Sequence, residues 1–439
     1  MGPEGDGQAS QAPAADQRVL EAAEPGEATA APEAAPAPGS PGRRPRKPRQ
    51  HRVRRFFRRR TVRVFLALVA AGLVWAGFSV GQALTAPGGG TASSRLAEWA
   101  RDHYLGPVVT FGEWVTYNPP QVGGKPSFAL TVPTGEAATT SSPAPAATGG
   151  AGAKPGKPAF TPVVPATLAA LAGKALPGEG QWRVLETVHG QPAVFSTFLR
   201  QSAQYSSYVS AIVSLDPRLV RFSLRPGAED PGPGDWGPDE QPWILPGQRA
   251  GLLATFNGGF KLDASQGGFY LNGKYHGSLQ AGAASVAYYR DGTIKVGQWG
   301  RDLHLTSQVT GVRQNLKLIV DHGQVPSSVD SNVQTSWGFT LGGGYYVWRS
   351  GIGMTSDGRI IFVYGPALDV RQLATLLQHA GAVEGMQLDI NPFWTSFEYY
   401  QAKGQPADPG PVNLLPSQQG PADRYYSTYS RDFTAVFAR

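Results

Sequence analysis

Residues 64–84 (VFLALVAAGLVWAGFSVGQAL) form a run of 21 without a charge, and this run constrains the chain more than any other feature. At ~1.5 Å rise per residue, a helix of that length spans a ~30 Å hydrocarbon core. Only Ser79 and Gln82 are clearly polar, both near the far end, and Trp75 and Phe78 fall in the outer half, where aromatic belts form. The 21 residues just before the run (43–63) hold 12 Lys/Arg and no acid. Lys and Arg stay on the cytoplasmic side, so the pattern predicts a single-pass anchor with residues 1–63 inside and 85–439 outside. A cleaved signal peptide fits less well, because the apolar run is long and more than 60 residues precede it. A soluble core helix would have nothing to pair the flanking charges.

The same block explains the formal net charge of +7. Residues 1–42 are net acidic and residues 64–439 are close to neutral. A nucleic-acid groove needs basic residues spread over the folded surface, so that class is set aside. The chain has no cysteine, which excludes disulfide frameworks, thiolate metal sites and Cys nucleophiles.

Five segments follow from composition. Residues 1–63 read as a disordered cytosolic tail ending in the basic block, whose charges suit anionic lipid. Residues 64–84 are the transmembrane helix, and 85–130 a juxtamembrane stem with a helix expected over 95–104. Residues 131–177 are a Pro/Ala/Gly/Ser/Thr-rich linker and lead-in. Residues 178–439 are long enough to bury one large core.

In that last segment strand-like runs dominate: 182–188, 193–199, 208–215, 220–224, 252–256 and 384–390. Asn272-Gly273, Asp291-Gly292, Asp357-Gly358, His189-Gly190-Gln191-Pro192 and Asp321-His322-Gly323 mark turns between them. One helix is expected over 369–381, with Asp369 and Gln372 as a capping box and Gly381 past its end. The fold class is therefore α+β, a single transmembrane helix followed by a β-rich mixed-sheet domain.

Three places could carry chemistry. Asn257-Gly258-Gly259-Phe260 follows a strand, and its glycines let backbone amides approach an anion; the alternative is a plain turn. Arg349-Ser350-Gly351-Ile352-Gly353 offers a guanidinium that can fork onto phosphate or carboxylate; the alternative is a solvated Arg beside a glycine kink. Asp389-Ile390-Asn391-Pro392-Phe393-Trp394 ends a strand, where ligands often bind; the alternative is Asp389 capping the Asn391-Pro392 turn. Arg301-Asp302 and Arg313-Gln314-Asn315 supply further partners for Asp389. His276, His304 and His379 show no metal-ligand spacing.

These three motifs, in this order, resemble the phosphodiester glycosidase family, of the N-acetylglucosamine-1-phosphodiester α-N-acetylglucosaminidase type. The family's Asn-Gly-Gly-Phe falls on residues 257–260. Its Arg-x-x-Ile-Gly falls on Arg349, Ile352 and Gly353, with Asp357-Gly358-Arg359 close behind. The Asp of its Asp-Gly-Gly-Gly-Ser falls on Asp389. There the sequence departs: Ile390, Asn391, Pro392, Phe393 and Trp394 follow instead, as in a bacterial membrane-anchored subgroup. The resemblance covers about residues 180–400.

It implies a membrane-anchored extracytoplasmic hydrolase acting on a glycosyl phosphodiester or related cell-envelope glycan. Arg349 would hold phosphate, Asp389 would be the acid/base or metal-orienting group, and Asn257 with the Gly258 and Gly259 amides would stabilise negative charge. Asn391 and Trp394 would contact substrate, and Asp302, Asp321 and Glu384 are the candidate second carboxylates. No cofactor is evident; a divalent cation is compatible, but no ligand set announces it. The expected partners are an envelope glycan or sugar phosphate and membrane lipid along residues 43–84, at the plasma membrane with the N-terminus cytosolic. The alternative function is a non-catalytic glycan-binding or envelope scaffold protein on the same fold.

Overall fold

A computed structural model describes residues 50–85, 92–106, 108–109, 112, 118–131, 164–331, 336–338, 346–402 and 406–439. The expected tail 1–42, residues 43–49 of the basic block and most of the 131–160 spacer lie outside them. The chain divides into two compact units, residues 1–70 and 71–439.

Helix α1 (Gln50–Thr85) runs through the expected apolar segment. Its stretch Arg60–Thr85 is long and apolar enough to cross a membrane. Val64, Phe65, Leu66, Leu68, Leu73 and Val74 are all exposed, which water would penalise and lipid would not. Helix α2 (Ala92–Asp102) takes up the expected juxtamembrane helix.

Among the described residues, seventeen strands follow. β1 (Arg183–Val188), β2 (Gln191–Arg200), β3 (Val209–Leu215), β13 (Ile360–Leu368), β12 (Val347–Thr355), β14 (Ala382–Gln387) and β11 (Leu318–Val320) form a seven-stranded sheet in that order. A second sheet orders β7 (Lys274–His276), β6 (Phe269–Leu271), β10 (Val309–Gln314), β8 (Ala284–Tyr289) and β9 (Ile294–Gln298). A third orders β16 (Gly410–Asn413), β15 (Phe397–Gln401), β5 (Leu252–Asn257), β17 (Phe433–Ala438) and β4 (Val220–Arg225). The paired strands are antiparallel throughout.

The seven-stranded sheet is buried on both faces. Along β13, Ile360, Phe362 and Tyr364 enter the core shared with the third sheet, while Ile361 and Val363 enter a second core. Helix α3 (Val370–His379) fills that second core with Leu373, Leu376 and Leu377. This two-sided burial is why these strands read as continuous apolar runs rather than alternating ones. The α3 capping box forms as expected: the Asp369 carboxylate accepts from the Gln372 amide, and Gln372 Oε1 accepts from the Asp369 amide. Gly381 follows at φ +93°.

The turns obey the same local chemistry. His189-Gly190, Asn272-Gly273 and His322-Gly323 are left-handed at both residues, as a two-residue hairpin connection requires. At Asp291-Gly292 and Asp357-Gly358 only the glycine is. Residues 118–131 also lie on the folded unit: Leu130 is in the main core and Phe128 packs edge-on against Phe198. Val164, Leu168 and Leu171 pack against the second core, ahead of residue 178.

Candidate functional site

The ends of β5, β12 and β14 meet between the seven-stranded and third sheets. Past Gln387 the ladder continues for one more pair: Leu388 N donates to Ser350 O (2.8 Å) and Ser350 N to Asp389 O (2.9 Å). Then Asp389 Oδ1 accepts the Ile390 and Asn391 amides at 2.7 and 2.8 Å. That closes a turn, so β14 stops at Gln387 where the sequence pattern runs to residue 390.

Asn257 is the latch between sheets. Its Nδ2 donates to Ser350 Oγ (2.9 Å) and Gly258 O (2.7 Å), and its Oδ1 accepts from Ser396 N (3.1 Å). Ser350 Oγ in turn accepts from Asp389 N at 3.1 Å. Asn257 thus reaches Asp389 through one hydroxyl, and the amide orients the strand end rather than lining open space.

The two glycines answer to packing. A Cβ on Gly258 would lie 2.1 Å from Asp432 Oδ2, and one on Gly259 would lie 3.1 Å from the Asn315 side chain. The Gly258 amide already donates to Asp432 O (3.0 Å). Asn315 then ties three segments together: its Oδ1 accepts from Phe260 N, and its Nδ2 donates to Gln387 O and Leu388 O.

Arg349 lies within the sheet interior, 2% exposed. Its Nε donates to Leu368 O (2.8 Å) and Nη1 to Gln387 Oε1 (2.6 Å). Burial lowers its pKa to about 10, with Asp369 opposing.

A cavity of about 490 Å³ opens beside the strand ends. Asp389, Asn391 and Trp394 line it, together with Phe260, Lys261, Asp263 and the α2 residues Glu98, Arg101 and Asp102. Asn257, Gly258, Gly259 and Arg349 stand behind this wall. Asp389 is 3% exposed. Burial pushes its pKa up to about 6, against the pull of Arg431, the two turn amides and Arg313. Its Oδ2 has no hydrogen bond among the described residues.

Arg431, which no motif singles out, supplies the nearest positive field. Its guanidinium stacks over Trp394 at 4.3 Å and stands 3.6 Å from Asp230 and 3.8 Å from Glu98. Its Nε and Nη1 are buried without a hydrogen bond among the described residues. Behind it Arg313 is fully buried, its Nε and Nη2 donating to Asp432 Oδ2 and Oδ1 at 2.8 and 3.1 Å and Nη2 also to Phe260 O. Lys261 forms the cavity edge, 2.6 Å from Glu98 and 3.1 Å from Asp102. Burial works to lower the Lys261 pKa, but the two carboxylates outweigh it and hold the ammonium above its ordinary range.

Asp302, Asp321 and Glu384 group elsewhere, none of them lining this cavity. Arg301 pairs with Asp302 and Asp321 at 2.7 Å and stands 3.8 Å from Glu384. Asp321, His322 and Glu384 offer ligand atoms within 4.8 Å of one another. Arg301 already supplies the positive charge there, so the geometry is that of an ion-pair network. Lys261, Arg431, Glu98 and Asp102 escape sequence reasoning because only folding brings residue 98 to residues 261, 389 and 431. The single local hint is Lys261, directly after Asn-Gly-Gly-Phe.

Comparison with known proteins adds the following. The phosphodiester glycosidase family model matches residues 250–389. No curated protein matches the chain. Among solved structures, the zebrafish N-acetylglucosamine-1-phosphodiester α-N-acetylglucosaminidase catalytic domain, auto-inhibited by its pro-peptide, is similar at 15% identity and TM-score 0.38, covering 59% of this chain and 88% of that one. A hypothetical protein from Synechocystis is similar at 13% identity and TM-score 0.32, covering 58% and 64%. The segment that the phosphodiester glycosidase family model matches, 250–389, contains Asn257, Arg349 and Asp389.

Proposed function

We propose that this protein is a membrane-anchored, outward-facing hydrolase of a glycosyl phosphodiester or related envelope glycan. One observation carries the reading: a buried carboxyl with a pKa near 6, Asp389, lines the same cavity as a cation, Lys261, and an indole, Trp394. The match of residues 250–389 to the phosphodiester glycosidase family model supports the reaction class. In this reading Lys261, with Arg431 behind the wall, attracts the phosphodiester anion. Trp394 and Phe260 give the sugar an apolar floor. Asp389 Oδ1 is held by two amides, which leaves Oδ2 to exchange a proton with water. Water adds its hydroxyl to the anomeric carbon while the carbon–oxygen bond breaks, its electron pair staying on the phosphate oxygen. The water proton leaves through Asp389. Arg349 and Asn257 act as positioning residues, holding Gln387, Ser350 and the Asp389 turn.

The anchor is α1, with the basic run before it on the cytosolic side and against anionic lipid. The exposed apolar helix Arg60–Thr85 supports this placement. A test uses the full chain in detergent with the methyl diester of N-acetylglucosamine 1-phosphate. Release of methyl phosphate that disappears in Asp389→Asn supports the hydrolase. A second reading, glycan binding without turnover, is favoured by the commitment of Asp389 Oδ1 to the turn. Saturable glycan binding with no phosphate monoester released would establish it instead.

A further inference from the structure

Helix α2 has two working faces. One leans on the last turns of α1: Trp99 Nε1 donates to Ser79 Oγ (2.9 Å), the His103 ring stacks on Trp99 at 4.5 Å and meets Trp75 edge-on at 5.5 Å. Arg95 Nη1 also donates to Leu84 O at 2.7 Å, at the carbonyl end of α1. The other face carries Glu98, Arg101 and Asp102 into the cavity that holds Asp389. Six residues separate the two helices in sequence, a reach of roughly 20 Å at most. The cavity therefore shares a wall with a helix that is clamped to the membrane-crossing segment.

The clamp also sets a level. Ser79 lies six residues before the end of α1, about 9 Å along its axis. A helix hydrogen-bonded there sits at the depth of the headgroups, not above them. The chain just beyond α2 suits that depth: Tyr104 is 95% exposed, Val108 66% and Leu105 43%. Trp75, Trp99 and Tyr104 make the amphipathic belt that membrane interfaces favour. Tyr104 itself lines the cavity.

We propose that the site takes a lipid-anchored glycosyl phosphodiester directly from the outer leaflet. The lipid chain lies along Tyr104, Leu105 and Val108 just past α2, the phosphodiester anion meets Lys261 and Arg101, and the sugar lies between Trp394 and Asp389. Glu98 and Asp102, which pair with Lys261, are the groups the phosphate displaces. Hydrolysis adds the water hydroxyl to the sugar and leaves the phosphate monoester in the bilayer. This inference rests on the hydrolase reading above and specifies its substrate.

The full chain in phosphatidylcholine vesicles is the material for the test. Two probes share one sugar phosphate: the phytanyl and the methyl diester of N-acetylglucosamine 1-phosphate. Confinement of enzyme and substrate to one surface raises effective concentration, so the phytanyl diester is expected to turn over about tenfold faster or more. Trp99→Ala, which removes the Ser79 hydrogen bond and the His103 stack that hold α2 on α1, should reduce that preference to about one to twofold, each phytanyl rate being taken relative to the methyl diester rate of the same variant. Equal rates on the two probes in the parent protein overturn the inference and leave the hydrolase reading standing. No turnover of either probe overturns the hydrolase reading, and the inference falls with it. A preference that survives in Trp99→Ala and in a second variant, Tyr104→Ser, also overturns it, since the preference would then not run through α2.

Discussion

Two buried arginines mark two regions with opposite characters. Arg349, in the seven-stranded sheet, spends its donors on the carbonyl of Leu368 and the amide oxygen of Gln387. Arg431, behind the cavity wall, is stacked on Trp394 and leaves Nε and Nη1 without a hydrogen bond among the described residues. The first is a framework cation that ties β12 to β13 and β14. The second is a field source beside Asp389, with capacity in hand. A motif points to the first because its spacing is local. The second is reached only through the fold.

The largest expected effect separates chemistry from framework at Asp389. Asp389→Asn keeps an oxygen for the Ile390 and Asn391 amides but cannot exchange the proton, so turnover should drop about 10²–10⁴-fold. Stability should move the other way. Burial raises the folded pKa from 3.8 to about 6, so the folded chain holds a proton that the unfolded chain releases. The stability from that proton is full below pH 3.8 and is lost as pH rises through 6. Thermal melts should show Asp389→Asn above the parent at pH 7, with the gap closing below pH 4. A parent pH–rate profile with no limb near 6 would remove Asp389 from the chemistry.

Next comes Arg349→Met. It strands the Gln387 and Leu368 oxygens in a buried site, at a cost of roughly 2–4 kcal/mol in unfolding free energy. Chemical denaturation should show this, with KM for the diester nearly unchanged at a temperature where the variant is folded. A selective rise in KM without loss of stability would return Arg349 to the role its motif suggests.

Arg431→Gln should do the reverse. Arg431 lowers the Asp389 pKa, so its loss moves the pH limb upward from about 6. Activity at pH 6 should fall roughly threefold to tenfold, on the scale of tenfold per pKa unit. An unmoved limb would detach Arg431 from Asp389. The smallest effect is Lys261→Met, which frees Glu98 and Asp102. Partly exposed ion pairs contribute under about 1 kcal/mol, so the melt should hardly change. Trp99 fluorescence should nonetheless report a looser α2 and lose its salt dependence.

The fold was legible where local rules decide. The α3 capping box, the left-handed turns at His189, Asn272 and His322, and the helix through the uncharged run 64–84 all follow from side-chain chemistry within a few residues. The end of β14 was not legible, because an apolar pattern through Ile390 cannot show that Asp389 turns back on its own amides. The role of Gly258 was half legible. Two glycines signal a close approach, but the approaching group is Asp432 from the far end of the chain rather than a ligand.

The sequence by itself determined the long apolar helix, the β-rich class and the segment that matches the family model, and it pointed to Asp389 as the acid to watch. Each depends on spacing that neighbouring residues impose. Only the tertiary structure decided which groups share the cavity. Lys261, Arg431 and the carboxylates of α2 reach Asp389 across gaps of 42 to 291 residues. Electrostatic fields act through space and not along the chain, so no local pattern encodes them. For the same reason Arg349, one strand away from Asp389, does not line the cavity, whereas the helix that follows the long apolar helix does.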